Sequence, residues 1–513
     1  MISLDILKIK SGPIKMMGFF FMKNNKTTLN AFKLLFKNGD KCIPVYKRIL
    51  ADVLTPVGVW NALNQNIDYG FIFESVEKNI KRSRYSYIGI NPNTIFISKG
   101  SKTQVIKNKK IDSINKPITD LIRQEQIGYN QRSSDDLPPF SGGMVGYLSY
   151  ETVKWYEKIS THKDNMIPES IFMLFEDVIA FDHVNGDAIV ISNVKIKNST
   201  SLETQYKNAI ERIDHIGELM HNRFEYRQKP EKNTYAQKSN FTKDEFKKAV
   251  QKAKAYIKSG DIFQVVLSQK FERKTLTSST NIYRSLRRIN PSPYLFHLKF
   301  QEFDIIGSSP EMMVNVNQEI VNIRPIAGTR KRGENDEEDK ILSKDLLADE
   351  KEKAEHLMLV DLGRNDVGRV SKIGSVNVTE FMQIEKYSHV MHIVSNVTGK
   401  LRSSYDNYDA LMSGFPAGTV TGAPKIRAMN IINELESEPR GIYSGAVGFF
   451  DFKNNLNTCI AIRTLLHKGN KVYFQAGAGI VHDSDPESEF LECINKAKVI
   501  NAAIDLAERG FMS

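Results

Sequence analysis

Short runs of β-forming residues, each bounded by Gly, Pro, Asn or Asp, recur along both halves of the chain. No other feature restricts its fold as much. In the first half they are Tyr69–Ser75, Tyr85–Ile90, Thr94–Ser98, Gly142–Tyr150, Ile171–Asp182 and Ala188–Val194. In the second they are Ile262–Phe271, Tyr294–Phe300, Asp304–Gly307, Glu319–Arg324, Gly445–Phe452, Leu456–Leu465 and Val472–Ala476. Such runs read as antiparallel sheet. Helices are fewer. Thr242 and Glu245 form a capping box, apolar residues from Phe246 to Ile257 follow at helical spacing, and Gly260 marks the stop. Further helices are expected over Lys344–Leu362 and, after Asp485-Pro486, over Glu487–Glu508. The class is therefore α+β, sheets with helices packed outside them.

Residues 197 to about 240 form a polar, charge-rich stretch (Lys207–Gln237) and read as a long helix followed by a linker. Three parts are expected: a disordered leader, 1–25; an N-terminal region, 26–225; and a C-terminal region, 226–513. The 71 Lys and Arg against 60 Asp and Glu give a net charge of +11. That excess is spread along the chain, without the basic stripe or aromatic platform of a nucleic-acid surface, so no such partner is expected. Cys42, Cys459 and Cys493 lie far apart, which excludes a disulfide framework and a zinc ribbon. No Ser or Cys stands in a G-x-[SC]-x-G elbow. The apolar stretch Ile14–Met22 is too short to span a bilayer, and a cytoplasmic protein is expected.

Three kinds of residue could carry chemistry. Asp349, Glu352 and Glu355 fall at i, i+3 and i+6. The first two read as a solvated stripe, whereas Glu355 leads into Leu357–Val360, a run that looks buried. Glu489, Glu492 and Lys496 share a face of the last helix. Two partly buried glutamates on separate helices could hold a hard cation such as Mg²⁺, although an acidic surface fits the spacing as well. The glycines of Arg324–Arg330, Phe415–Lys425 and Gln475–Gly479 suit either tight turns or amides approaching an anion. No Walker loop or dinucleotide fingerprint is present. His392, in Tyr387–Val394 with His389, suits a core position or a proton donor and acceptor.

Taken in order, Asp261–Ser268, Ser308–Glu311, Arg324–Arg330, Asp349–His356, Asp361–Asp366, Pro416–Lys425, Ile462–Thr464 and Gln475–Gly479 running on to Asn495–Ala497 resemble the chorismate-utilising enzymes. Phe73–Ser75 and Arg84–Gly89 resemble the large subunits of anthranilate synthases, so the resemblance covers nearly all the chain after residue 30. It implies a β-sandwich with helices outside and an active site in a cleft, an N-terminal regulatory region and a C-terminal chorismate-binding region. It also implies conversion of chorismate and ammonia to anthranilate and pyruvate. Within it, His392, Glu311 and Thr419 would be catalytic. Gly328, Thr329, Tyr443, Arg463, Gly477, Ala478, Gly479 and Lys496 would bind substrate, and Glu355 and Glu492 would hold Mg²⁺. Glu74, Ser75, Asn290, Pro291, Ser292 and Tyr294 would bind tryptophan as feedback inhibitor. Leu295 departs from the Met usual at its position. A glutamine amidotransferase subunit, in a heterotetramer, would supply ammonia.

Two positions separate activities within the resemblance. Members that add water carry Lys where this chain has Gln264. Those making aminodeoxychorismate carry a nucleophilic Lys where Ala327 stands, and alanine forms no covalent adduct. Anthranilate synthesis is thus favoured over aminodeoxychorismate, isochorismate or salicylate synthesis. An inactive tryptophan-sensing homologue is the alternative from another class.

Overall fold

The computed structural model describes residues 25–511 except 77–82, 130, 132–133, 135, 222–234 and 388–389. Residues 1–24 of the expected leader, the expected boundary at 225 and His389 lie outside the described residues.

Two twelve-stranded antiparallel sheets form the centre. The first runs from Cys42–Leu50 through Gly70–Glu74, Tyr294–Phe300, Phe303–Ser309, Thr464–Lys468 and Lys471–Ile480 to Gln264–Lys274 and Lys238–Ser239. The second runs from Ile326–Lys331 and Val390–Lys400 through Met312–Asn317, Leu456–Ile460, Ala446–Asp451 and Gly143–Leu148 to Lys110–Ile114. Both sheets draw strands from before and after residue 225: Gly70–Glu74 pairs with Tyr294–Phe300, and Gly143–Leu148 with Ala446–Asp451.

Phe71, Phe296, Leu298 and Ile305 of the first sheet meet Val145, Tyr147, Met173 and Phe175 of the second in a buried layer. Side chains of this size contribute roughly 1.5–3 kcal/mol each on burial, which makes this layer the main adhesive between the sheets. Helices close the outer faces, with Trp60, Ile213, Leu286 and Ile504 on the first sheet and Val360, Val367, Tyr408 and Leu411 on the second. The result is the α+β sandwich with helices outside.

Three expected elements are divided. The run Ile171–Asp182 becomes Ser170–Phe175 in the second sheet and Asp177–Asp182 in the first. Leu456–Leu465 likewise becomes Leu456–Ile460 and Thr464–Lys468, in different sheets. Both runs keep β-forming residues on either side of the break; Glu176 and Asp177 mark the first switch and Arg463 the second, but polar residues at such positions also occur within a single strand. The expected helix Lys344–Leu362 is two helices, Asp336–Ala348 and Glu350–Val370. Asp349 sits between them in extended conformation, and its carboxylate caps the second by accepting from the Lys351 and Glu352 amides at 3.0 and 3.2 Å. Asp349 is therefore a cap and not part of a solvated stripe. The capping box at Thr242 and Glu245 is present as expected, on a helix spanning Lys243–Lys258.

Candidate active site

The site is built where two neighbouring strands leave one sheet for the other. Phe303–Ser309 passes through Pro310 and Glu311 into Met312–Asn317, and Leu456–Ile460 passes through Ala461–Arg463 into Thr464–Lys468. The two crossings are tied together. Ile460 N–H donates to the Glu311 carbonyl at 3.0 Å, Ser309 Oγ donates to the Ile460 carbonyl at 2.6 Å, and Ser308 N–H donates to the Arg463 carbonyl at 3.1 Å. Arg463 takes a left-handed backbone, φ 50°, which is costly for a residue with a Cβ and is held by those bonds.

Glu311 and Arg463 consequently share one cleft. Burial pushes the Glu311 carboxyl up to about 7, against the facing Thr419 hydroxyl and the Arg463 and Lys496 cations, which favour its ionised form. The Thr419 hydroxyl is buried without a formed hydrogen bond. Lys496, on the C-terminal helix Pro486–Glu508, donates to the Gly477 carbonyl at 3.0 Å and pairs with Glu492 at 2.6 Å.

His392 enters from the second sheet. Its partner strand Ile326–Lys331 carries a bulge between Ala327 and Thr329, centred on Gly328 at φ 67°. The bulge turns the Gly328 carbonyl onto His392 Nδ1 at 2.9 Å, with Thr329 Oγ1 at 3.1 Å. A carbonyl only accepts, so Nδ1 carries the proton and Nε2 is left as the basic atom. Burial, with Arg463 nearby, lowers the His392 pKa and keeps the ring neutral.

The floor is the strand Lys471–Ile480. One edge pairs with Gln264–Lys274 as far as Ile480, whereas the other meets Thr464–Lys468 only up to Phe474. Gly477, Ala478 and Gly479 lie beyond that point. A Cβ on Gly477 would stand 2.6 Å from the Tyr443 hydroxyl, and one on Gly479 2.9 Å from Gln264 Nε2, so the glycines permit both approaches. Beneath Tyr443 lies a buried ion pair, Arg440–Glu436 at 2.7 Å, and Glu436 also accepts from Ser268. Pattern reading missed this support; the Glu436 and Arg440 spacing of four, in a segment ending Pro439-Arg440, is the signal that could have pointed to it.

Gln264 Nε2 donates to Glu355 Oε1 at 3.4 Å. Glu355 is half-buried, but Leu357 after it is 46% exposed, so only Leu359 and Val360 of the expected buried run enter the core. Glu352 is half-buried too, 3.5 Å from Arg330 Nη1, and is not a solvated residue. Glu492 is 46% exposed, more open than the partly buried pair envisaged from spacing. No cluster of three His, Cys, Asp or Glu suited to a metal occurs among the described residues. The donor chemistry nonetheless fits a hard cation: burial raises the Glu352 and Glu489 pKa values, and the charges of Glu355 and Glu492 raise them further. Arg463, Leu491, Glu492, Asn495 and Lys496 line an open cavity of about 580 Å³ here.

The expected inhibitor residues are neighbours of this cleft. Val76 N–H donates to the Ser292 carbonyl at 3.1 Å, bringing the end of Gly70–Glu74 to the Asn290–Tyr294 turn. The Glu74 carboxylate accepts from Tyr283 at 2.6 Å and pairs with Arg287 at 3.0 Å. Tyr294 donates to Asn457 at 3.3 Å.

The sequence pattern of the chorismate binding enzymes matches residues 71–502. The chain belongs to the chorismate-binding enzymes. Among its relatives, anthranilate synthase component 1 of Acetivibrio thermocellus is 46% identical over 94% of this chain and 98% of its own. The component 1 of Aquifex aeolicus is 44% identical over 94% and 99%. The crystal structure of anthranilate synthase component I from Streptococcus pneumoniae superposes with a TM-score of 0.73 at 36% identity, covering 88% of this chain and 98% of that one. A menaquinone-specific isochorismate synthase from Escherichia coli, 19% identical with a TM-score of 0.68, shares the fold. As a chorismate-utilising enzyme, the chain acts on a doubly charged substrate.

Proposed function

We propose that the chain is the chorismate-converting component of an anthranilate synthase. The observation that carries this reading is Gln264 pointing at Glu355 in the cleft, where an amide cannot activate water as a lysine would. Ala327 beside the bulge supports it, since it offers no nucleophile. Arg463 and Lys496, with the amides of Gly328, Thr329 and Gly477–Gly479 and the Tyr443 hydroxyl, hold the substrate carboxylates. Ammonia forms the N–C2 bond as the ring double bonds shift and the C4–O bond breaks. Glu311, protonated near neutral pH, gives its proton to the departing hydroxyl, with Thr419 beside it. His392 Nε2 takes the C2 proton as the enolpyruvyl C3–O bond breaks, leaving the aromatic ring; the enolate released takes up a proton at its methylene carbon to become pyruvate, matching the proton that the C2 ammonium gives up. Glu355 and Glu492 would hold Mg²⁺, which when bound supplies Lewis-acid polarisation of the ring carboxylate.

The reading includes a glutamine amidotransferase partner, since this chain lacks a glutaminase elbow, in a cytoplasmic heterotetramer. It also includes tryptophan as inhibitor at Glu74, Ser75, Asn290, Pro291, Ser292 and Tyr294. Among the described residues, no helix is long and apolar enough to cross a membrane. The test is incubation of the purified chain with chorismate, Mg²⁺ and ammonium, with and without tryptophan, followed by product chromatography. Anthranilate with equimolar pyruvate, suppressed by tryptophan, is expected. Aminodeoxychorismate or isochorismate as product would overturn the assignment.

A further inference from the structure

Asn290 caps the C-terminal end of the helix Ser279–Ile289. Its carboxamide is engaged at both ends. Oδ1 accepts from Arg463 Nη1 at 3.0 Å, and Nδ2 donates to Ser308 Oγ at 3.0 Å and to the Ser308 carbonyl at 3.3 Å. The Ser308 hydroxyl donates back to the Asn290 carbonyl, and the Ser308 amide donates to the Arg463 carbonyl. A closed ring of hydrogen bonds thus fixes both the backbone and the guanidinium of Arg463. Because guanidinium only donates, the Asn290 oxygen must face it, which settles the amide's orientation.

The chemistry of this partner matters more than its presence. A long arginine side chain in a partly desolvated cleft is drawn to a carboxylate, and Glu311 is the one whose charge acts on Arg463 there. Collapse onto Glu311 would ionise the acid and neutralise the cation together. Asn290 offers an oxygen without a charge.

We infer that Asn290 is a positioning residue: its neutral carboxamide holds Arg463 toward the substrate carboxylate while leaving the cation uncompensated and apart from Glu311. This rests on the reading that Arg463 grips chorismate. It assigns Asn290 a part in turnover itself, independent of any inhibitor.

The experiment uses the full chain with chorismate, Mg²⁺ and ammonium, without tryptophan. At φ −133° the Asn290 backbone accepts alanine without strain. Asn290→Ala should raise KM for chorismate about tenfold, the scale of a lost hydrogen bond to a charged group, with kcat changed less than about threefold. Its alkaline activity limb should also move to lower pH, because the released guanidinium approaches Glu311. Asn290→Asp should raise KM by neutralising Arg463 and move that limb to higher pH, opposite to Asn290→Ala, since the guanidinium is still held but its charge no longer favours ionised Glu311. Ser308→Ala, which loosens the carboxamide and releases the Asn290 carbonyl but keeps Asn290 Oδ1 beside Arg463, should show the Asn290→Ala pattern more weakly. In an Arg463→Ala background, Asn290→Ala should add no further rise. An unchanged KM in Asn290→Ala, or a full additional rise in the double variant, overturns the inference alone. An unchanged KM in Arg463→Ala removes the substrate role of Arg463, and the inference goes with it.

Discussion

At the residue scale, Glu311 and His392 have pKa values displaced in opposite directions by the same cause, exclusion of water from the cleft. Glu311 is raised to about 7 and His392 lies below its ordinary value, so the proposed acid and base are in their working forms together over a window ending near 7. With free ammonia held constant, kcat/KM should be bell-shaped: the acid limb reports His392 and the alkaline limb Glu311. Glu311→Gln should lower turnover by about 10²–10⁴ and remove the alkaline limb from what remains. Bound chorismate adds negative charge at Arg463 and Lys496, which moves the Glu311 limb in the kcat profile to higher pH. The same displacement affects stability. A carboxyl whose pKa is raised on folding binds more protons folded than unfolded between its ordinary value and about 7, so stability falls as pH rises through that range. Glu311→Gln should therefore raise the Tm at pH 8, by the equivalent of about 2–3 kcal/mol, and leave it nearly unchanged at pH 4. Equal shifts at both pH values would show that Glu311 is not held neutral by burial.

At the element scale, glycines decide what the strands can present. Gly328 combines φ 67° with neighbours 3.2 Å from any added Cβ, among them Glu352 Oε2 and Ile393 Cδ1. Gly328→Ala should cost about 1–2 kcal/mol, read as a lower denaturant midpoint, and should impair kcat by displacing the carbonyl that sets the His392 tautomer. By contrast Thr242→Ala, which removes a helix cap far along the chain from these groups, should cost about 1 kcal/mol with kcat/KM unchanged. The cap was legible in the sequence because it depends on two residues three apart. The bulge was not: Ala327-Gly328-Thr329 suits a turn equally, and only pairing with Val390–Lys400 makes Gly328 the extra residue. Arg463 shows the limit more sharply. Nothing about arginine announces a left-handed backbone, so Leu456–Leu465 reads as one strand across the switch.

At the scale of the whole molecule, the cleft joins groups from both sheets and two helices. The proposed metal assignment can be tested without disturbing the fold, because Glu492 is half-exposed and its ion pair with Lys496 lies on one helix. Glu492→Ala should keep its Tm within a few degrees, yet lose about 10²-fold or more of Mg²⁺-stimulated turnover, as removal of a Lewis acid's ligand requires. Near-normal rates in that variant would remove the metal assignment.

The sequence by itself determined the antiparallel strands, the capped helices, the ordered motifs of a chorismate-binding enzyme and the two positions that bear on its nucleophile. Each strand, cap and single motif is carried by neighbouring residues, where local sterics, periodicity and side-chain chemistry act, and the order of the motifs is read straight along the chain. Tertiary structure alone decided that adjacent strands change sheets at Ser309–Met312 and Ile460–Thr464, that the Glu74 carboxylate turns to Tyr283 and Arg287, and that Asn290 meets Arg463. Those outcomes depend on contacts between residues up to 209 apart in the chain, set by how two buried sheets pack, and no local pattern encodes them.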